Sequence, residues 1–459
     1  MDQFLVASVM WITGLINGSN HIPEDVLARA KEQVELLKKN ICLTSQALGN
    51  VKKMAECEHK DFYSYQHLPL RMVERMKFDW DDYLFMAHSG HSSVLVSLAE
   101  EHKLESIDSS ELLIAVVIGN ELAARLGAAS FIGHQNGQAW TFPHQLSTIG
   151  VLAYLNKWSK EKILKILRLS LSSPHFALYP GFFSFAKSSM AYFPVMSALN
   201  AVKIEPLIEN GSANDLISGN EGLLHHFTVR PLTFFLSGLG HTWLTRSLKN
   251  KEIPGCAYVI GPTLQMMNYQ KEHSLSIEKI KKIKIKTHIF AFSVENKMRK
   301  FIKNEKLKAL EVNFSVPLTL ATYLVNGKFS VHELLSESLA KNEKQIRSLA
   351  SKIEVIHDWN KTAHLVRGVN QAVKLKAVFS DFKYGDYKKF IGKLKSESHD
   401  SKVMDALLSR EFRKLMGEII SEEVKDGYSF KDADFSKFKW NLKSEIEIEL
   451  VDGGKIQVN

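Results

Sequence analysis

Apolar residues recur every three to four positions from Pro23 to about Leu248. Val26, Ala30, Val34 and Leu37 form one such face, and Leu112, Ala115, Gly119 and Leu122 form another. That period is the mark of helices that each bury one side in a shared core. Turn chemistry separates them at Asn17-Gly18-Ser19-Asn20, Asn136-Gly137, Ser172-Ser173-Pro174 and Asn210-Gly211-Ser212. Glycine within 112–130 weakens the intrinsic helix preference, but glycine and alanine together let neighbouring helices approach closely.

After Pro254 the period changes. Ile280, Ile283 and Ile285 interleave with Lys282, Lys284 and Lys286, which predicts a half-buried strand over Ile280 to Phe292. A helix from Val294 to Leu307, two further helices to about Ala350 and a strand at Ile353 to Ile356 follow. Residues 358–440 are lysine-rich and mostly helical in pattern, with Met404, Leu407, Leu408, Phe412 and Leu415 at amphipathic spacing. The alternation Glu445 to Leu450 predicts a closing strand beside Ile353 to Ile356 in one sheet. The chain therefore reads as mainly α, with a large all-helical domain over 1–250 and a smaller α+β domain over 251–357 and 441–459. Between its parts lies an insertion over 358–440 that leaves and re-enters at a surface edge.

Length supports this division, because 459 residues with 45% apolar content exceed one compact unit. The opening Met-Asp-Gln-Phe has no basic stretch and does not read as a secretory signal. The most apolar stretch, Leu112 to Gly133, contains Asn120, Glu121 and Arg125, so it reads as a core helix and not as a membrane span. Cys42, Cys57 and Cys256 are odd in number and widely separated, giving neither a disulfide framework nor zinc spacing. A reducing cytoplasm is the compartment this implies. The net charge of +9 owes much to Lys279 to Lys308. No nucleic-acid motif accompanies it, so a small anionic substrate is the partner it suggests and a nucleic acid is not.

The densest chemistry lies in Phe78-Asp79-Trp80-Asp81-Asp82-Tyr83, followed by His88-Ser89-Gly90-His91. Asp79 and Asp82, three apart, would share one face of a helical turn. This run resembles the D-x-D-D then H-x-G pattern of the MmgE/PrpD family, which includes 2-methylcitrate dehydratase, cis-aconitate decarboxylase and iminodisuccinate epimerase. Five further segments resemble that family in the same order. They are His21 to Val26, Leu112 to Gly127, Gly219 to Leu223, Lys251-Glu252-Ile253-Pro254-Gly255-Cys256, and Phe314-Ser315-Val316-Pro317 with Ala321 and Gly327. The 358–440 insertion matches no segment of the family. The family's final helical return to its large domain has no counterpart here, and the insertion would replace it as a lid.

The resemblance implies a homodimeric lyase that takes a proton from carbon next to a carboxylate and expels water or carbon dioxide. It implies no metal and no organic cofactor, and a di- or tricarboxylate as substrate. It implies catalytic roles for Asp79, His88 and Lys251, with His144 substituting, through a reshaped loop, for the histidine expected at Thr141, and substrate contacts for Tyr83, Lys187, Thr141 and Cys256. Histidine suits proton transfer near neutral pH, and lysine suits a substrate carboxylate. Four positions depart from the family: Tyr83 replaces a small threonine, and Met76, Thr141 and a position near Ile260 stand where histidines are expected. His225-His226 follows the Glu221-Gly222 turn, and at most one of the pair would face a cleft; His134, His241 and His273 carry weaker signals. The departures leave two other readings open. One is a homologue that binds without catalysis, favoured by a cleft filled by Tyr83, Trp140 and Phe142. The other is an epimerase or isomerase on a related acid.

Overall fold

The computed structural model describes residues 2–132, 141–211, 214–300, 306–386, 388–389, 392 and 405–458. Helix accounts for 60% and strand for 7%, so the chain is mainly α. The Asn136-Gly137 turn, His134, Trp140, Ser212 and Met404 lie outside the described residues.

The helix Ser109–Ala129 runs through the centre of the first half, buried from Ala115 to Ala129 and packed along the helix Phe142–Leu155. Asp108 starts it by accepting from the backbone N–H groups of Ser110 at 2.7 Å and Glu111 at 2.8 Å. Among the described residues it is the one helix long and apolar enough to cross a membrane, and 89% of that stretch is buried within the molecule. Its charges are satisfied internally. Arg125 pairs with Glu121 and donates to the carbonyls of Ser237 at 3.2 Å, Gly238 at 3.1 Å and Thr242 at 2.7 Å. Glu121 accepts from the Leu244 and Thr245 N–H groups at 3.1 and 2.8 Å. The pair thus clamps the 237–245 segment onto the central helix.

Two strands interrupt this helical half, which is therefore not all-helical as expected. β1 (Asp82–Tyr83) pairs antiparallel with β2 (Lys249–Asn250), matching Asp82 to Asn250 and Tyr83 to Lys249. The acidic run is held beside the Lys251 segment by this pairing.

β3 (Ile280–Thr287), β4 (Ile353–His357), β5 (Glu445–Leu450) and β6 (Lys455–Val458) form one sheet in the order β4-β3-β5-β6. β4 and β5 share the sheet but are not neighbours, contrary to the sequence expectation. β3 lies between them, its Ile283 and Ile285 matching Ile353 and Val355 on one side and Ile448 and Ile446 on the other. β3 also ends earlier than expected, at Thr287. His288 accepts from the Ala291 N–H and opens the helix Ile289–Arg299, so the apolar run after it packs as a helix and not as a strand. The water-facing lysines are matched by carboxylates: Lys281 to Glu449 at 2.6 Å, Lys282 to Glu354 at 2.7 Å and Lys286 to Glu445 at 2.6 Å. This stripe is charge-balanced and not an open basic surface.

Residues 358–440 divide in two. The amphipathic helix Arg410–Ser421 buries Leu415 and Ile419 against the helices Trp359–Ala372 and Leu375–Val378 of its own segment. The expectation that this helix covers the helical half is therefore corrected. Phe430, Phe435 and Phe438 cover it instead, in one cluster with Phe85, Ala124, Phe235, Leu244 and Leu248. Aromatic rings bury more area per residue than the Leu/Met pattern, and no periodicity announces them.

The cysteine expectation is also corrected. Cys42 and Cys57 form a disulfide with Cα atoms 5.8 Å apart, and Cys256 is the free thiol. Fifteen residues separate the pair in sequence, but the helix Glu24–Ala47 and the turn at Met54–Glu58 fold back on each other. The argument for a reducing compartment rested on unpaired cysteines and loses that support.

Candidate active site

Phe78 and Trp80 are buried in the core cluster that contains the four-stranded sheet. A turn at Phe78 and Asp79 leads through Trp80 and Asp81 into β1, so the run is not one helical turn. The helix Leu68–Lys77 ends before it, and Asp79 adopts a left-handed backbone with φ of 50°. That conformation costs a non-glycine residue about 1–3 kcal/mol, which the surrounding contacts must outweigh. Asp79 and Asp82 consequently face different partners, contrary to the shared helical face. Asp82 pairs with Arg75 and accepts from Gln33 at 2.7 Å, on the helical side.

Asp79 is gripped from two distant segments. Lys187 pairs with Oδ1, and Lys251 Nζ lies 3.0 Å from Oδ2 and 2.7 Å from the Asp79 carbonyl oxygen. Lys251 also pairs with Asp81. His88 Nδ1 is 3.0 Å from Asp81 Oδ2 and 3.0 Å from the Asp82 carbonyl. Two acceptors at one ring nitrogen assign the proton to Nδ1 and make Nε2 the basic nitrogen. Asp81 is thus the residue that orients His88.

Burial raises the proton affinity of both carboxylates, but the cations outweigh it. Lys187 and Lys251 hold Asp79 below the usual carboxylate range, and Lys251 with His88 holds Asp81 well below it. Burial alone would favour neutral Lys251, yet Asp79 and Asp81 keep it protonated beyond the ordinary lysine range. An ionised Asp79 in this grip is a weak base. The partly exposed His88, at 20% side-chain exposure and with Nε2 as its basic nitrogen, is the better candidate for moving protons.

A cavity of about 210 Å³ opens against this cluster, with Asp79, Tyr83, His88, Cys256 and Tyr258 on its wall. Burial, then the Asp79 charge, pushes the Cys256 thiol up to about 12, so it stays protonated. Cys256 is placed by two backbone bonds, Gly255 N–H to the Phe78 carbonyl at 3.1 Å and its own N–H to the Asn313 carbonyl at 2.9 Å. Gly255 has φ of 113°, which excludes other residues at that step. At Gly127 the absent side chain matters too, since a Cβ would run into the Met86 carbonyl on the same wall. Trp440, from the end of the inserted segment, closes the wall with its ring 4.7 Å from Tyr83 and its indole N–H 2.7 Å from the Ser247 carbonyl.

Of the residues expected at the site, Asp79, His88, Tyr83 and Cys256 line the cavity, and Lys187 and Lys251 stand behind Asp79. His144 and Thr141 are not on its wall. His144 lies in the helical core, 2.8 Å from Ser92 Oγ, where burial and then the charge of His88 lower its pKa to about 3. Thr141 is buried at the start of the helix Phe142–Leu155, and Phe142 packs in the helical core, away from the cavity. His225 and His226 are both exposed. Sequence reasoning missed Asp81 as the orienter, although it stood in the acidic run. It also missed Tyr258, Phe290 and Trp440, which no motif marked. Among the described residues no three His, Cys, Asp or Glu side chains converge as a metal site.

No protein-family model matches this chain, and no curated protein matches it.

Proposed function

We propose that the chain is an acid–base enzyme of the MmgE/PrpD type, a lyase acting on a small carboxylic acid. The observation that carries this reading is that Asp79 and His88 line one cavity while Lys187 and Lys251, from two further segments, pair with Asp79 behind its wall. These are residues the family resemblance names. The large helical domain and the α+β domain flank the cavity in this reading, with Trp440 of the insertion as part of its lid.

His88, oriented by Asp81, takes the proton from carbon next to the substrate carboxylate. The electron pair moves into an enolate-like intermediate, and loss of the leaving group from the neighbouring carbon consumes it. The protonated His88 can return its proton to that group. Lys187 and Lys251 supply positive potential at the wall, which lowers the energy of the developing anion. No step is routed through a metal or organic cofactor.

Incubating the protein with a panel of small carboxylic acids, including citrate, methylcitrate and cis-aconitate, and following products by mass tests this reading. Product formation that disappears in His88→Ala supports it. Bound acids that never react overturn it in favour of the binding-protein reading. That reading has one observation on its side, since the lysines are already paired with aspartates.

We also propose that a second copy covers the apolar side chains of Leu178, Phe185 and Leu207, exposed to 69%, 94% and 82%. Light scattering showing a single 52.0 kDa species would overturn the dimer.

A further inference from the structure

We infer that Cys42, Met54 and Cys57 form a three-sulfur site for a soft monovalent metal ion, Cu(I), which the disulfide closes and reduction opens. The site lies against a second cavity, of about 380 Å³, that shares no lining residue with the acid–base cavity.

The three sulfurs come from two elements that face each other. Cys42 is on the helix Glu24–Ala47, and Met54 and Cys57 are on the short 3-10 helix Met54–Glu58. A helix of that kind has about three residues per turn, so side chains three apart eclipse one another. Met54 and Cys57 therefore share the face turned toward Cys42. Cys42 Sγ is bonded to Cys57 and lies 3.3 Å from Met54 Sδ. A methionine in a core is there to fill gaps, but Met54 is 44% exposed and gains little by packing.

Two thiolates and a thioether are a ligand set that selects Cu(I) over harder divalent ions. Zinc draws on cysteine, histidine and carboxylate ligands, four of them in a structural site. Among the described residues no three such side chains converge, so the thioether is the third ligand that this cluster offers. With metal–thiolate bonds of about 2.3 Å, three sulfurs around one ion stand about 4 Å apart. The Cys42–Met54 spacing is already close to that, and opening the disulfide lets Cys57 move to it.

A dithiol supplies the two electrons and two protons that convert the disulfide to two thiols, and its own sulfur pair closes in turn. One Cu(I) then displaces both thiol protons and leaves a complex of net charge −1. The wall suits that charge, since Lys38, Lys39 and Lys60 outnumber Glu58 and Glu101. Lysines beside a thiol also favour its thiolate, the form that binds metal. Cys42, Met54 and Cys57 all line the cavity, which gives reductant and ion a way in.

Reducing the whole chain with dithiothreitol, removing the reductant without air and titrating Cu(I) in competition with bathocuproine disulfonate tests this. The reduced protein is expected to take one Cu(I) per chain, and the disulfide form to hold it at least about a hundredfold more weakly. Met54→Leu, at a position 44% exposed, is expected to fold and to lose about tenfold in Cu(I) affinity. Cys42→Ser is expected to lose the site. Copper retained by Cys42→Ser places the ion at other ligands and overturns the inference. A disulfide that dithiothreitol leaves closed in the native protein overturns it too, as does an affinity unchanged in Met54→Leu. Where Cys42→Ser fails to fold, X-ray absorption of the copper-loaded natural chain decides. Three sulfur neighbours uphold the site, and two sulfurs or any nitrogen neighbour overturn it.

Discussion

Two of the buried ionic networks in this molecule differ in what surrounds them. Glu121 and Arg125 sit on one helix, four residues apart, and their remaining valences go to backbone groups of the 237–245 segment. Asp79, Asp81, Lys187 and Lys251 come from three separate segments, and their remaining side is a cavity. Buried charge alone therefore does not mark a site. The second network differs in having an aspartate with a left-handed backbone, a histidine with 20% of its side chain exposed and held by a carboxylate, and open space beside them.

Breaking the first network should have the largest effect, and on stability alone. Arg125→Ala leaves Glu121 buried and unpaired and should cost about 3–5 kcal/mol in denaturant unfolding. A loss below about 1 kcal/mol would show that water reaches Glu121 and that the two networks are more alike than the geometry indicates.

At the second network the loss should appear in chemistry. His88→Ala should lower turnover of any acid the enzyme converts at least about a hundredfold, equal to about 2.7 kcal/mol of activation energy. Its melting temperature should stay nearly unchanged, because the ring is only partly buried. A large stability loss with normal turnover per folded molecule would move His88 to the structural network.

Buried histidines behind the site set an acid response. His144, with its pKa lowered to about 3, and His91, held well below 6.5, are neutral in the folded protein. Burial is the main cause in both, with neighbouring positive charge adding to it. The unfolded chain protonates them near 6.5, so their contribution is complete above that pH. It is lost as pH falls toward the folded values, at about 1.4 kcal/mol per pH unit for each histidine. His144→Gln should reduce the slope of stability against pH below 6.5 by one such share. An unchanged slope would show that His144 is not buried neutral. Asp79 and Asp81, with lowered values, add a further loss only below about pH 4.

The smallest effect belongs to the water-facing pairs. Lys286→Ala should leave the denaturant midpoint nearly unchanged, and the small effect should shrink further in high salt. A larger loss would make the sheet's charged face a third network.

The sequence by itself determined the mainly α class, the change of period after Pro254 and the presence of β3, β4 and β5, because side-chain periodicity is a local property of the chain. The acidic run and the Lys251 segment were also legible, since they carry unusual residue types at close spacing. The boundary at Thr287 was not, because Ile289 to Phe292 is apolar enough for either strand or helix. The disulfide was equally hidden, for a spacing of 15 residues becomes bonding distance only when a helix and a turn fold back together. Tertiary structure alone decided which charges meet. Asp79 and Lys187 are 108 residues apart and Asp79 and Lys251 172 apart, so their pairing depends on β1 meeting β2 and on the packing of 185–189 against Leu68–Lys77. It also decided that His144 faces Ser92 in the core, and that Trp440 reaches Tyr83 from a segment with no motif. Spacing reports neighbours a few residues away, whereas a site is assembled from residues that the core brings together.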